Sequence, residues 1–402
     1  MTRESIPFYA APDVPALNFD PFLAHAQAQA AITRIRMPCG DGEAECWLVT
    51  GYEEVRSVTA DPRFSRDIVG KPFPSMNRHL VPLDKAVSFA DPPYHARIRA
   101  VVAPAFSQPR VARLRARTQT LVEQLLMEME AEGAPADLVR HVVSPLPLTL
   151  TGEILGIPES DRDHIRTWAQ TLLTRPANPQ DIAPARQARQ DLQDYVRALA
   201  ADRHRHPQSD LMTTMTQAVD AGRIDDDELI ALACLVAVNG WHAMRNILAN
   251  MAYLLLTQPH LMTLLRQQYR LAPQAVEELL RWIPHKNGIG QPRIATEDIE
   301  VGGVLIRTGE YVYVSYVAAN WDDHAYHQPQ HIDLHRQGPP HMAFGHGPHF
   351  CMGPALARME AEILLTTLPG RFPSLRLAIP AAQVQWQTSA LIRGPVALPV
   401  TW

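Results

Sequence analysis

Residues 344–353 read Phe-Gly-His-Gly-Pro-His-Phe-Cys-Met-Gly, the most specific pattern in the chain. The cysteine, Cys351, stands among glycines just before a helix that we expect to begin at Pro354, since proline favours the first helical turn. Backbone N–H groups and the positive end of a helix dipole stabilise a thiolate at such a place. An isolated thiolate serves as a nucleophile or as a metal ligand, whereas most cysteines are buried and inert.

The other cysteines exclude a disulfide framework and a zinc site. Four cysteines occur in 402 residues, and Cys39, Cys46 and Cys234 are too scattered for either use. We interpret these three as buried thiols of a cytoplasmic protein. Residues 1–20 contain acids and prolines where a signal peptide needs a basic and an apolar segment, and we expect them to be loosely ordered.

Charge and hydropathy limit the possible partners. A formal charge of −5 without a long basic tract argues against nucleic-acid binding. Only residues 229–256 are apolar over a length that suggests a membrane span. Asn239, His242, Asn246 and Asn250 recur there on one side of a helix, which favours a long helix inside the protein and no membrane contact.

Helical patterns outnumber strand patterns, and no repeat or linker marks a boundary. We therefore predict one large, mainly α domain with small β-sheets over residues 1–402. The predicted elements are a strand turning into a helix within 43–58, helices at 111–132, 147–155, 164–174, 187–205 and 274–282, a long central helix from 225 to before 259, a β-meander over 299–316, and a last helix from 354 to a stop at 369–370.

The pattern FGxGxHxCxG followed by ALARxE, within residues 344–360, resembles the haem-binding loop of the cytochrome P450 family. The resemblance implies the P450 fold and haem b with Cys351 as the axial iron ligand. It implies that Phe344 shields the sulfur. Gly345, Gly347 and Gly353 would allow backbone N–H groups to approach it.

Further segments resemble the same family over nearly the whole chain. His95 and Arg99 match its HxxxR pair, while Arg293 and His341 match further donors to the haem propionates. Glu278 and Arg281 match its ExxR pair, one helical turn apart. The arginine that normally completes this network is replaced by His331, and a histidine donates fewer hydrogen bonds, so we expect a weaker network.

The central helix departs from the family text AGxET, in which an acid and an alcohol deliver protons at the oxygen site. Here the segment reads Asn239-Gly240-Trp241-His242-Ala243. Gly240 keeps the glycine, His242 replaces the acid, and Ala243, which cannot donate a hydrogen bond, replaces the alcohol. Three proton sources remain open: Asn239, His242, or a hydroxyl or amine on the substrate. His242 is equally well read as a structural histidine.

The family topology also predicts which residues line a mostly apolar substrate pocket with a few polar groups. Lys286 would either meet an acidic group there or point into water at the rim. The predicted lining residues are Val87, Phe89, Val236, Lys286, Ile289 and Leu391.

The resemblance implies a monooxygenase that inserts one oxygen atom from dioxygen into a small organic substrate in natural-product biosynthesis. Electrons would come from a separate ferredoxin or flavodoxin with an NAD(P)H-dependent reductase, docking near Arg110, Arg113 and Arg358. Two alternatives stay open. One is an atypical P450 performing peroxide-driven oxidation, C–C or C–N coupling, rearrangement or nitric-oxide chemistry. The other is a haem-thiolate protein that binds without turnover.

Overall fold

The computed structural model describes residues 6–10, 13–39, 42–69, 71, 73–74, 85, 87–175, 182–286, 289–290 and 292–402. The chain forms two compact units, Met1–Arg99 with Leu280–Cys351, and Ala100–Leu279 with Met352–Trp402. The first unit contains most of the strands and the second contains most of the helices. The predicted fold class, mainly α with small sheets, is confirmed. A single domain over residues 1–402 stays a prediction.

The helices and strands are numbered in chain order. The helices are Pro21–Gln29 (α1), Tyr52–Ala60 (α2), Tyr94–Val102 (α3), Gln108–Glu132 (α4), Pro145–Leu155 (α5), Arg162–Leu173 (α6), Ala183–Arg205 (α7), Leu211–Asp220 (α8), Asp226–Thr257 (α9), Pro259–Gln267 (α10), Ala272–Trp282 (α11), Tyr316–Ala319 (α12) and Pro354–Arg371 (α13). The strands are Ile32–Cys39 (β1), Gly42–Val49 (β2), Phe64–Ser65 (β3), Ala136–Asp137 (β4), Arg293–Ala295 (β5), Ile299–Val301 (β6), Val304–Ile306 (β7), Tyr311–Val314 (β8), Arg376–Leu377 (β9) and Pro399–Thr401 (β10).

The predicted helices are present, but several begin earlier than their apolar pattern does. Helices α4, α5 and α7 each have a proline in the first turn, where its missing N–H costs nothing and its fixed φ suits the helix. Helix α13 begins at Pro354 as predicted and continues through Pro369 to Arg371, beyond the predicted stop. Among the described residues, no helix combines the length and apolar character that crossing a membrane requires.

The first unit contains a five-stranded sheet with the order β1-β2-β8-β5-β3. Strands β1 and β2 form a long antiparallel hairpin, and β8 joins β2 in parallel, with Trp47 opposite Val312. The predicted β-meander is therefore wrong: β6 and β7 form a separate hairpin, while β8 pairs with β2 and β5. Local alternation of apolar residues predicts a strand but does not reveal its partner.

Long-range contacts hold part of the N-terminal segment, although residues 1–5 and 11–12 lie outside the described residues and the predicted loose order of residues 1–20 stays a prediction. The Tyr9 N–H donates to the Arg36 carbonyl at 2.8 Å, and the Tyr9 hydroxyl donates to Asp20 at 2.9 Å. Tyr9 is fully buried beside Leu23 and Ile35. These long-range contacts, which a local composition argument does not see, hold the segment against β1.

The second unit is built around α9, which packs against α5, α6, α7, α8, α10 and α13. A capping box starts it: the Asp225 carboxylate accepts from the Glu228 N–H at 2.8 Å, and the Glu228 carboxylate accepts from the Asp225 N–H at 2.9 Å. Near its other end, the Asn250 amide donates to the Arg393 carbonyl at 2.9 Å. The polar side chains of this helix therefore form hydrogen bonds inside the second unit.

Candidate active site

The loop that carries Cys351 is held by its own backbone. The Cys351 N–H donates to the Phe344 carbonyl at 2.9 Å, and the Phe350 N–H donates to the Gly347 carbonyl at 2.9 Å. The Phe344 ring is buried and packs 5.7 Å from the His341 ring, centroid to centroid. The Cys351 side chain is exposed, which leaves its sulfur accessible to a metal ion.

Two of the three loop glycines are required by the backbone. Gly345 and Gly347 have φ values of +77° and +73°, in the region that favours glycine. A Cβ at Gly347 would also collide with the Thr59 carbonyl oxygen. Gly353 has a φ of −104°, which any residue adopts, so the conformational reason expected for a glycine there is not found.

Helix α3 places His95 and Arg99 one turn apart. Arg99 donates to the Phe350 carbonyl at 2.6 Å, directly before the cysteine. His95 is buried, with its ring 4.3 Å from that of His349. Burial and the positive charge of Arg99 lower the pKa of His95, so the ring is neutral at pH 7 and donates through one nitrogen.

Strand β5 places Arg293 in a buried position beside Tyr316. Burial raises the pKa of Tyr316, but the guanidinium groups of Arg293 and Arg66 lower it by more, so its net shift is downward. Arg293 is 3% exposed, and within the described part of the chain its Nη2 has no hydrogen-bond partner. A buried guanidinium of this kind fits an anionic ligand.

Sequence reasoning missed Arg66 and His349 as members of this group. Arg66 is 9% exposed and follows β3, where its N–H donates to Asp91 at 2.9 Å. Burial and the positive charge of Arg66 lower the pKa of His349 to about 2, which keeps that ring neutral. His349 was visible within the loop pattern. Arg66 had no local signal, since an arginine after a short strand is usually a surface residue.

His341 is held in one tautomer by the loop. The Ala343 N–H donates to its Nδ1 at 3.1 Å, so the ring hydrogen is assigned to Nε2. That arrangement presents an N–H donor, as a propionate requires. The position is compatible with the predicted role of His341.

Arg281 on α11 organises the segment after α12 through backbone carbonyls. Its Nη1 donates to the carbonyls of Asn320 and Pro329, both at 2.9 Å, and its Nη2 donates to the His331 carbonyl at 3.1 Å. The His331 side chain is exposed, so the expected ring contact is not found. Arg336 instead donates to the His331 carbonyl at 2.7 Å. The guanidinium of Arg336, five residues later, thus supports the segment in which we expected a weaker network.

The predicted residues of α9 divide between two environments. Asn239 is exposed and Ala243 is half-buried, one turn later on the same side. His242 is fully buried, and neither of its ring nitrogens has a hydrogen-bond partner among the described residues. Burial and the charge of Arg245 lower its pKa to about 4. Gly240 faces α5 so closely that a Cβ would lie 2.7 Å from the Thr151 hydroxyl.

The predicted pocket residues are mostly shielded from solvent. Val87, Val236 and Ile289 are buried, and Phe89, Lys286 and Leu391 are half-buried. Both expectations for Lys286, contact with an acidic group and a position at the rim, stay predictions. The role of these residues in binding a substrate stays a prediction.

Comparison with known proteins supports the resemblance over the full length. The cytochrome P450 family model matches residues 163–375. Nocardicin C N-oxygenase of Nocardia uniformis subsp. tsuyamanensis is 42% identical over 404 residues, covering 100% of each chain. The crystal structure of cytochrome P450mel 107F1, described as having biaryl coupling reactivity, has a TM-score of 0.94 at 42% identity, covering 99% of this chain and 100% of that one. The crystal structure of HinD with NMFT and NO has a TM-score of 0.93 at 38% identity, with the same coverage.

The residues of the first unit fit the cofactor of that family. The exposed Cys351 thiol offers an axial ligand, while Arg66, Arg99 and Arg293 offer positive charge for two propionates. The buried Nη2 of Arg293, which lacks a protein acceptor among the described residues, fits a propionate oxygen. The chain therefore belongs to the cytochrome P450 family, oxidoreductases that carry a thiolate-ligated haem.

Proposed function

We propose that this P450 is a monooxygenase that inserts one oxygen atom from dioxygen into a small organic molecule of a biosynthetic pathway. The observation that carries the proposal is the exposed Cys351, presented by a loop with internal backbone hydrogen bonds beside buried cations in a chain of P450 fold. The name of nocardicin C N-oxygenase, at 42% identity, supports oxygen transfer as the reaction type. When bound, thiolate-ligated haem supplies the reductive activation of dioxygen.

The residues of the first unit bind and orient the cofactor. Cys351 is the iron ligand, and Phe344 covers one side of the loop that carries it. Arg293 and the Nε2–H of His341 are the donors to the propionates. Arg99 uses one guanidinium nitrogen to fix the Phe350 carbonyl, so it couples the propionate region to the cysteine loop.

Proton handling is assigned to Asn239 and to the substrate. The Asn239 Nδ2 donates to the Leu235 carbonyl at 3.0 Å, which leaves its Oδ1 as an exposed acceptor able to hold a water. Ala243 offers no donor at the position of the family's alcohol. His242 is fully buried in the second unit, and its burial favours the structural role.

A second candidate is oxidative coupling of two substrate molecules. P450mel 107F1, which is described as having biaryl coupling reactivity, is similar over 99% of this chain. The two candidates differ in the fate of the oxygen atoms.

Labelled dioxygen separates the candidates. The purified holoenzyme is supplied with NADPH, a surrogate ferredoxin and reductase, ¹⁸O₂, and compounds made by the neighbouring biosynthetic genes. A product that carries one ¹⁸O atom supports monooxygenation, and a coupled product free of ¹⁸O supports the second candidate. Turnover with peroxide alone supports an atypical P450, and tight binding without any product supports a haem-binding protein that lacks turnover.

The cofactor assignment is tested separately from turnover. The reduced protein with carbon monoxide is expected to show the absorption band of thiolate-ligated haem, and Cys351→Ala is expected to lose it. Retention of that band in the variant would contradict the role of Cys351.

We propose a ferredoxin or flavodoxin as the electron donor, bound through exposed arginines of the second unit. Arg110 and Arg113 are exposed on α4, whereas Arg358 is half-buried and paired with Glu277 at 2.6 and 2.8 Å. The pairing neutralises Arg358, which leaves Arg110 and Arg113 for docking. Reduction of the holoenzyme by an acidic ferredoxin should slow as ionic strength rises, and an insensitive rate would contradict electrostatic docking.

A further inference from the structure

We propose that a groove between α4, α13 and the turn that joins α10 to α11 binds a basic, partly apolar segment of a partner protein. The groove lies wholly within the second unit and has a volume of about 640 Å³. Its lining includes Gln119, Glu123, Glu130, Tyr269 and Thr367. It is open and combines carboxylates, an amide, a hydroxyl and a ring, whereas sites for small molecules are mostly enclosed and apolar. A polypeptide segment therefore fits it better than a small apolar molecule.

Side-chain contacts between α4 and α13 join the two walls of the groove. The Gln119 amide of α4 donates to the Thr367 hydroxyl of α13 at 3.2 Å. Eleven residues further along α4, Glu130 forms an ion pair with Arg371. These contacts are present without a partner, so the groove is formed before binding. A preformed groove loses less side-chain freedom when a partner binds.

The wall that α4 provides carries a carboxylate without a cation. Residues 118–132 contain four glutamates and neither lysine nor arginine. Glu130 is neutralised by Arg371, whereas Glu123 accepts from the Gln119 amide at 2.7 Å and forms no ion pair with any described residue. A lysine or arginine of the partner would balance this charge, and a phosphate-rich partner would be repelled by it.

Exposed apolar side chains border the same groove. Among the described residues, the two most exposed large hydrophobic side chains are Tyr269, at 60%, and Met127, at 56%. Tyr269 lines the groove, and Met127 lies four residues after Glu123 and three before Glu130, on the same side of α4. Tyrosine and methionine are enriched in protein interfaces. An apolar side chain beside the basic group of the partner would cover them.

The groove is separate from the arginines that we assign to the electron donor, and the proposal does not depend on the proposed function. Arg113 precedes Glu123 by ten residues, about 15 Å along the helix. The two halves of α4 carry opposite charges, so an acidic ferredoxin at Arg110 and Arg113 would be repelled from Glu123. We therefore expect the basic partner to be a different protein.

Labelled peptides test the proposal on the holoenzyme. The probes are a fluorescein-labelled peptide with three repeats of Gly-Lys-Leu, and two matched peptides in which glutamine or glutamate replaces each lysine. Binding is measured by fluorescence anisotropy at low salt. We expect the lysine peptide to bind about tenfold more tightly than the glutamine peptide, and the glutamate peptide to bind most weakly.

Two variants of the groove should give different results. Glu123→Gln should reduce the preference for lysine over glutamine to about twofold or less, because the unbalanced carboxylate is removed. Tyr269→Ser should weaken both peptides about fivefold and leave their ratio unchanged, because the lost contact is apolar. Glu159→Gln is the matched control, since Glu159 is an exposed glutamate of the same unit outside the groove, and it should behave as wild type.

Several results would overturn the proposal. One is equal binding of the three peptides, including the case in which none binds, and another is an unchanged lysine preference in Glu123→Gln. The carbon monoxide band checks that each variant is folded. If Glu123→Gln lacks the band, Tyr269→Ser decides, and unaltered peptide binding in that variant contradicts the site. Self-association in sedimentation velocity that is lost in Tyr269→Ser would assign the groove to a second copy of this chain instead.

Discussion

Two polar residues of α9 lie in different environments. Asn239 is the residue that we assign to proton handling, and His242 is buried in the packing between helices. Asn239 is exposed with its Nδ2 tied to the Leu235 carbonyl, whereas His242 is fully buried three residues later. The two side chains therefore predict different outcomes on substitution. Substitution of Asn239 should change the yield of product, and substitution of His242 should change the free energy of unfolding.

Asn239→Ala removes the exposed Oδ1 acceptor. We expect the product formed per NADPH consumed to fall several-fold, since the water that we assign to proton handling loses its acceptor while Cys351 is unchanged. Coupling is measured as product against NADPH consumption.

Ala243→Thr restores the family's hydroxyl one turn later. A several-fold rise in coupling in that variant would show that the native enzyme does not depend on Asn239 or the substrate for protons.

His242→Leu should make the free energy of unfolding less dependent on pH between 6.5 and 4. The folded pKa is lowered to about 4, below the value of about 6.5 for an exposed histidine, so only the unfolded chain takes up this proton in that interval. The native protein loses up to about 3 kcal/mol from this residue as pH falls. Urea unfolding at pH 7, 6 and 5 measures the slope. His164→Leu, at an exposed position on α6, is the control, and equal slopes in wild type and His242→Leu would contradict the assignment.

Among the secondary-structure elements, helix α13 begins directly after the cysteine loop and carries a buried acid. Pro354 begins it, and Glu360 lies two turns later at 1% exposure, with neither carboxyl oxygen hydrogen-bonded to any described residue. Burial raises the pKa of Glu360 to about 8. The helix therefore carries a neutral carboxylic acid at pH 7.

Glu360→Gln should remove a loss of stability that occurs as pH rises. The unfolded chain ionises this group above about pH 4.5 while the folded chain keeps it protonated until about pH 8, so folding weakens by about 1.4 kcal/mol per pH unit between them. Unfolding at pH 5.5, 6.5 and 7.5 should give a flatter dependence in the variant. Glu362→Gln, which removes a surface pair with Arg115, should cost at most about 1 kcal/mol without changing the slope.

At the scale of the molecule, the cofactor site of the first unit draws its charges from distant parts of the chain. Arg66 follows β3, Arg99 lies on α3, Arg293 on β5 and Lys286 after α11. The folding of these segments brings like charges together, which costs free energy unless anions balance them. We therefore expect binding of a dianionic haem to stabilise this unit.

Arg66→Gln should accelerate loss of haem to an acceptor such as apomyoglobin by about tenfold, the effect of about 1.4 kcal/mol from one buried charge. The loss rate is followed by the haem absorbance of the holoenzyme. Arg63→Gln serves as the control, because Arg63 is exposed and pairs with Asp61 and Glu297. Equal rates of haem loss in the two variants would remove Arg66 from the cofactor site.

Local sequence determined the cysteine loop, the start of α13 and the fold class. Prolines and glycines restrict φ at particular positions, so Pro354 and Gly347 act in any chain that contains this segment. The resemblance predicts roles for Arg293 and His341 at the haem propionates, and these roles stay predictions. The role of His331 escaped it, because its backbone carbonyl contributes and its ring does not.

The sequence by itself determined the glycine loop that presents Cys351, because that information is contained in ten consecutive residues. Only the tertiary structure decided that Arg66 and His349 join His95 and Arg293, that β8 pairs with β2, and that Lys286 is half-buried. The physical reason is that burial and electrostatic interaction depend on distance in space. Local patterns record periodicity and backbone preference, but they do not record which distant charge lies beside a given side chain.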